Sequence, residues 1–270
     1  MTDNISPLLQ RLRSEAPLVH AITNPISITQ CANAVLALGA RPIMAEHPRE
    51  VEQITRTAAA LLLNLGNITD IRMEAMEVSA RIARQENIPF VLDAVGVACS
   101  SLRREYALSM LQRTPPTIIK GNYPEIRALV CPSYTTSGVD GDMHLSLETA
   151  ARAAADLALQ YGAVVLASGK ADIITNGLHT VLVHNGTAQL GQITGTGCML
   201  GAVCACCLAA APAFQAAMTA CAILGVAGEQ AETPCGSGTF FVNLMDKLST
   251  LDGRTIFSSL HMEEYHLENT

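Results

Sequence analysis

Gly195, Thr196, Gly197 and Cys198 bring the residue types of an anion site to the start of a small-residue helix that begins near Met199. Two glycines permit a sharp turn that leaves backbone N–H groups unpaired, and the positive end of the helix adds charge at the same point. Such a place suits a phosphoryl group in transfer. Cys198 stands where those N–H groups converge, and the same field would favour its thiolate. Glycine pairs before helices also serve close packing alone. The segment is open to both readings.

A second group runs Lys120, Gly121, Asn122, Tyr123, Pro124, Glu125. Lys120 could meet phosphate oxygens. Asn122 and Glu125, three apart at a helix start, suit either a hydrated magnesium ion or a capping box. Asp93 could bind metal-linked water or cap the segment that follows. Two carboxylates are too few to cage a metal unaided, and a magnesium ion that arrives with a nucleotide and keeps its waters fits better. Ser168 and Gly169 could contact phosphate or merely turn the chain. Met44 suits a core position better than a contact, and His20 and His47 are isolated.

These residues must be positioned by elements that alternate. Apolar runs at residues 18–22, 42–45, 60–65, 90–92, 117–119 and 163–167 have the character of buried strands, and residues 173–175 and 180–183, split by Asn176 and Gly177, of a hairpin. Helical spacing occupies residues 5–13, 29–38, 48–59, 69–85, 102–112, 123–129 and 147–161, and residues 199–248 are mostly helical. Residues 132–142, rich in Ser, Thr and Gly, form a loop. The pattern predicts an α/β protein with a largely parallel buried sheet and antiparallel strands at one edge. Open sheets of this kind bind ligands beyond the carboxyl ends of their strands. Here those ends carry Asn24, Asn64 with Gly66, Asp93, Lys120 to Asn122, and Ser168 to Lys170.

The chain of 270 residues is 49% hydrophobic, enough for a large core, and no composition shift or linker divides it. We expect a single domain over residues 1–270. A net charge of −7 argues against nucleic acid or anionic membrane as partner. The polar start carries no secretory pattern and no apolar run reaches the length of a membrane span, so a soluble, cytoplasmic protein is expected. The nine cysteines are odd in number and lack metal-ligand spacing, which favours reduced, mostly buried thiols.

Taken together, the motifs resemble the hydroxyethylthiazole kinase family of the ribokinase-like superfamily. The resemblance rests on residues 19–24 (Val-His-Ala-Ile-Thr-Asn), 31–33, 36–44, 63–66, 92–97, 121–126, 138–140, 194–198 and 236–240. It implies a three-layer α/β/α sandwich, ATP as co-substrate with Mg2+, and phosphorylation of the hydroxyl of 4-methyl-5-(2-hydroxyethyl)thiazole for thiamine synthesis or salvage. It also implies a homotrimer with thiazole pockets at subunit boundaries. Thiazole contacts would fall on Met44 and Gly195, with Asn24 nearby, and nucleotide contacts on Lys120, Ser168, Gly197 and Asn122. Asp93 and Glu125 would serve magnesium, and Cys198 stands where most relatives in the superfamily carry an aspartate base. The chain departs from the family in Lys120 for Arg, Ser168 for Thr and Ala94 for Pro. Lys at 120 replaces a bidentate fork with a point charge. Outside this class, Cys198 could act as a thiol nucleophile with His20 or His184 as base. A nucleotide- or thiazole-sensing protein that forms no ADP is the other alternative.

Overall fold

The computed structural model describes residues 5–136 and 145–267. The amino-terminal elements are α1 (Ile5–Glu15), β1 (Leu18–Ile22), α2 (Ile28–Ala37), β2 (Arg41–Ile43), α3 (Val51–Thr57), β3 (Ala60–Asn64), α4 (Asp70–Gln85) and β4 (Phe90–Asp93). There follow α5 (Ser101–Arg113), β5 (Ile118–Asn122), α6 (Tyr123–Val130), α7 (Leu147–Tyr161), β6 (Val164–Ser168), β7 (Asp172–Thr175) and β8 (Thr180–Val183). A short 3-10 helix (Ala188–Gln192) then leads to α8 (Thr196–Leu208), α9 (Ala213–Ala231), α10 (Ser237–Thr250), α11 (Gly253–Ser259) and β9 (Met262–Glu264).

Among the described residues the strands form a nine-stranded sheet in the order β2-β1-β3-β4-β5-β6-β7-β8-β9. Pairing is parallel from β2 to β6 and antiparallel from β6 to β9. The parallel strands are covered on both faces, which is why they appear in the sequence as unbroken apolar runs. Leu61 and Leu63 face one helical layer and Leu62 the other. Helices α1, α2 and α8 to α11 fill the layer on the Leu62 side, and α3 to α7 fill the opposite one. The result is the expected α/β/α sandwich. Pro42 lies in the edge strand β2, where its missing N–H leaves no ladder bond unmade. Because β1 sits between β2 and β3, the chain leaves β1 in one direction and resumes on its other side, opening a crevice beyond the strand ends.

The expected helical stretch over 199–248 is divided into three. Pro212 caps α9 and Gly236, at φ +101°, caps α10, so both breaks fall at residues that interrupt a helix ladder. Helix α8 begins at Thr196, which places Cys198 within its first turn. Strand β9 extends the hairpin by pairing with β8. The loop expected at 132–142 leaves the described residues at 137, and Gly138, Val139 and Asp140 lie outside them. No helix among the described residues is long and apolar enough to cross a membrane. All nine cysteines are free thiols, and Cys31, Cys204, Cys206, Cys207 and Cys221 are buried.

His20 is a structural residue. It is fully buried in β1, with Nε2 2.9 Å from the Ala45 carbonyl and Nδ1 3.0 Å from Thr55 Oγ1. A neutral ring donates to Ala45 and accepts from Thr55, satisfying both nitrogens. Burial holds His20 below its ordinary value, against the opposing effect of the Ala45 bond. The unfolded chain takes up a proton near about pH 6.5 that the folded chain refuses, so stability is lost as pH falls through and below that point. In thermal unfolding, the advantage in Tm of the native protein over His20→Gln is expected to shrink from about pH 7.5 to about pH 5.5. A difference that stays constant across that interval would exclude His20 as an acid-sensitive group.

Candidate active site

Strand register assembles the polar centre. Asn64 of β3 pairs with Asp93 of β4, Asp93 pairs with Lys120 of β5, and Asn122 pairs with Ser168 of β6. Leu62, Val91, Ile118 and Leu166 face the layer containing α8. The two-residue period of a strand therefore sends Asn64, Asp93, Lys120, Asn122 and Ser168 toward that same face. Lys120 Nζ lies 3.0 Å from Asp93 Oδ1 and donates to the Gly197 carbonyl at 2.9 Å. Asn64 Nδ2 donates to Asp93 Oδ2 at 2.8 Å. Asp93 is fully buried and Lys120 is 3% exposed. Burial works against the Lys120 charge, but Asp93, Cys198 and Glu125 outweigh it and hold the ammonium above its ordinary value. Burial pushes the Asp93 carboxyl up, while Lys120 and the Asn64 hydrogen bond pull it down. Gly201 allows α8 to approach this pair, since a Cβ there would stand 3.0 Å from Asp93 Oδ2.

The start of α8 faces the same point. Gly195 is its N-cap at φ +96°, and a Cβ at that position would stand 2.7 Å from Gln30 Oε1. Glycine is therefore needed both for the backbone angle and for the space. The N–H groups of Thr196, Gly197 and Cys198 have no intrahelical acceptor, and Gly195 supplies no side chain to cap them. Cys198 Sγ accepts from Asn24 Nδ2 at 3.3 Å. The Asn24 amide is fixed in orientation: Oδ1 accepts from the N–H groups of Ile26 and Ser27 and from Ser27 Oγ, and Nδ2 also donates to Asn64 Oδ1 at 3.1 Å. A chain of side chains thus runs from Cys198 through Asn24 and Asn64 to Asp93 and Lys120.

Of the two readings left open for Asn122 and Glu125, the capping box is formed. Asn122 Oδ1 accepts from Glu125 N at 2.9 Å and Glu125 Oε2 accepts from Asn122 N at 2.7 Å. Glu125 Oε1 also accepts from Gly96 N at 2.7 Å. Burial pushes the Glu125 carboxyl up to about 7, with Lys120 and the Gly96 and Asn122 N–H groups pulling the other way. Ser168 Oγ donates to the Gly121 carbonyl at 3.3 Å.

A cavity of about 520 Å3 opens above these groups. Asn24, Lys120, Asn122, Glu125 and Ser168 line it, together with Gly195, Gly197 and Cys198. Asp93 lies beneath its floor. Met44 does not line it: it follows the edge strand β2 and is half-buried against the layer that holds α8. Arg103 and Asn67 also line the cavity without having been marked as site residues by the sequence, as does Val95 of the segment 92–97. Arg103 sits on a helix ten residues beyond Asp93, and no motif marks it. No group of three or more His, Cys, Asp or Glu side chains among the described residues could hold a metal. Neither candidate base for a thiol nucleophile is in reach: His20 is buried against Thr55, and His184 bonds Glu263 at 2.9 Å across β8 and β9. No histidine among the described residues lines the cavity.

Comparison with known proteins agrees with this architecture. The hydroxyethylthiazole kinase family profile matches residues 9–254. Hydroxyethylthiazole kinase 2 of Clostridium botulinum (strain 657 / Type Ba4) is 39% identical over 261 residues, spanning 95% of this chain and 98% of that protein. The hydroxyethylthiazole kinase of Finegoldia magna is 38% identical over 252 residues, 93% of each chain. The solved structure of hydroxyethylthiazole kinase from Pyrococcus horikoshii OT3 matches with a TM-score of 0.89 at 32% identity, covering 98% of this chain and 100% of that one. Pyridoxal kinase from Staphylococcus aureus, solved in complex with ADP, shares the fold alone, with a TM-score of 0.66 at 13% identity over 92% of this chain and 98% of that one. The chain belongs to the hydroxyethylthiazole kinase family and is a kinase with a ribokinase-like fold.

Proposed function

We propose that this chain, acting as one kinase domain, transfers the γ-phosphoryl of ATP to the hydroxyl of 4-methyl-5-(2-hydroxyethyl)thiazole. The product would feed thiamine synthesis or salvage. The observation that carries this reading is the convergence of the uncapped first turn of α8, Cys198 Sγ and Lys120 Nζ at one cavity. Phosphoryl transfer depends chiefly on positioning and charge stabilisation. The N–H groups of Thr196, Gly197 and Cys198 stabilise charge on the phosphoryl oxygens. Lys120 fixes that turn through the Gly197 carbonyl, and Ser168 and Asn122 border the nucleotide. The substrate oxygen forms the new O–P bond, ADP leaves with the electrons of the broken one, and the hydroxyl proton passes to Cys198.

Magnesium fits this site through water. Glu125 presents hard oxygen donors to the cavity, yet both its oxygens already accept N–H bonds, and Asp93 is engaged by Lys120 and Asn64. Glu125 and Asn122, which line the cavity, would hold a hydrated ion through its waters, and Asp93, buried beneath the floor, contributes only its charge. Such an ion, when bound with ATP, neutralises phosphate charge. Each Asn24 N–H group already has a partner, so Asn24 orients Cys198 as well as bordering the thiazole. Gly195 lets the turn pack against Gln30 and Ser27, which brings its backbone to the edge of the thiazole pocket.

Met44 fits this scheme in a homotrimer, in which the exposed side of the edge strand meets a neighbouring copy and Met44 completes the thiazole pocket. Light scattering on the purified protein should give the mass of three chains, and Met44→Ala should raise KM for the thiazole while leaving KM for ATP unchanged. A monomer at full activity would end the shared-pocket reading.

The direct test follows ADP with ATP and Mg2+, with and without hydroxyethylthiazole. Thiazole-dependent ADP and a phosphorylated thiazole are expected; ADP formation indifferent to thiazole would point to another acceptor. Cys198→Ala should lower kcat by roughly 100-fold, within the range of lost proton-transfer catalysis, with thiazole affinity nearly unchanged. Native turnover in that variant would remove Cys198 from the chemistry.

A further inference from the structure

Arg103 and Lys120 are the two cationic side chains among the described residues that line the cavity. Lys120 brings little net charge to a ligand, because Asp93 lies 3.0 Å away and cancels it. Glu125, on the same wall, contributes no positive charge. A polyphosphate entering this cavity therefore needs a cation that the floor does not provide.

Arg103 has the geometry for that task. It lies in the first turn of α5, whose N-cap is Ser100, and its side chain crosses Gly96 to reach the cavity. Gly96 is held at φ +80°, and a Cβ there would collide with Arg103 Nη1. The loop after β4 thus keeps a path clear for the guanidinium. Its neighbour Arg104 offers an internal control. Arg104 donates to the carbonyls of Val97, Ala98, Pro132 and Tyr134, tying α5 to the adjacent loops. Arg103 makes one long side-chain bond, to the Val95 carbonyl at 3.4 Å, and meets no carboxylate among the described residues. A half-buried guanidinium with most of its fork unspent, lining the same cavity as the uncapped start of α8, is matched to a planar pair of phosphate oxygens.

We propose that Arg103 clamps the phosphate chain of the bound nucleotide, an inference that rests on ATP being the phosphoryl donor. It supplies the charge-assisted fork that Lys120, committed to Asp93 and Gly197, does not. Asn122 and Glu125 line the same cavity, and the loop carrying Gly96 touches both Glu125 and Arg103.

The test compares native protein, Arg103→Gln and Arg103→Lys in steady-state turnover and in calorimetric binding of ATP and of adenosine. Arg103→Gln should raise KM for ATP at least about tenfold and weaken ATP binding to the same degree, with KM for the thiazole within about twofold of native. Arg103→Lys should fall between, since a point charge replaces the fork. Adenosine binding should be unchanged in both. Loss of adenosine and ATP binding in equal measure would reassign Arg103 to the base or ribose and overturn the phosphate clamp. An unchanged KM for ATP in Arg103→Gln, in a native enzyme that forms ADP, would also overturn it. Native protein that forms no ADP and binds no ATP would instead remove the reading on which the clamp depends. Thermal unfolding of each variant separates a lost contact from a lost fold.

Discussion

The buried pair of Lys120 and Asp93 is the constraint around which the site is arranged. Removing two charges from water costs several kcal/mol each, roughly, and their attraction repays it only with good geometry and further hydrogen bonds. Those bonds are present: Asn64 donates to the second Asp93 oxygen, and the Gly197 carbonyl accepts from Lys120. The Gly197 bond carries the consequence for function, because it ties the first turn of α8 to strand β5. An ion pair buried beneath a sheet end thereby sets where three backbone N–H groups point. A lysine suits this arrangement. Its ammonium is a point from which donors reach two acceptors on different elements, whereas a guanidinium fork favours two oxygens of one group.

Register explains why the pair occurs here. In parallel strands the side chains of paired residues lie on one face, so Asn64, Asp93 and Lys120 form a polar row directly beyond an apolar one made by Leu62, Val91 and Ile118. Helix α8 covers both rows. Its small residues, Gly201 above all, bring the helix close enough to seal the polar row from water. Packing and electrostatics are thus one construction: the apolar contacts that hold α8 on the sheet also supply the dry surroundings in which the N–H groups act.

Much of this could be read from the sequence, for identifiable reasons. Unbroken apolar runs ending in Asn64, Asp93 and Lys120 are what a doubly covered parallel strand leaves behind, and ligand sites follow the ends of such strands. The glycines at 195 and 197 marked the helix entry. Other features left no local trace. Arg103 enters the cavity because Gly96 clears its path, a relation between a loop angle and a helix seven residues on. Strand β9, with the sequence Met-Glu-Glu, gains its conformation from pairing with β8 and has no alternation of its own. The start of α8 at Thr196 follows from the Gly195 backbone angle, which sequence spacing does not reveal. Asn24 suggested a pocket loop, and its tie to Cys198 emerges only when β1 and α8 are brought together.

The distribution of charge bears on how such a site favours transfer over mere binding. Lys120 is neutralised by a fully buried partner, so it adds little attraction for phosphate in the ground state. The N–H groups of α8 are partial charges fixed in direction, and their stabilisation grows as negative charge accumulates on the oxygens they face. Only interactions that strengthen in the transition state raise turnover; those that hold substrate and transition state alike lower KM alone. On the proposed reading, the Arg103 guanidinium at the cavity wall serves retention of the nucleotide, and the anchored helix start serves the transferring group. Separating the two tasks explains why the helix start is the element anchored by a buried ion pair.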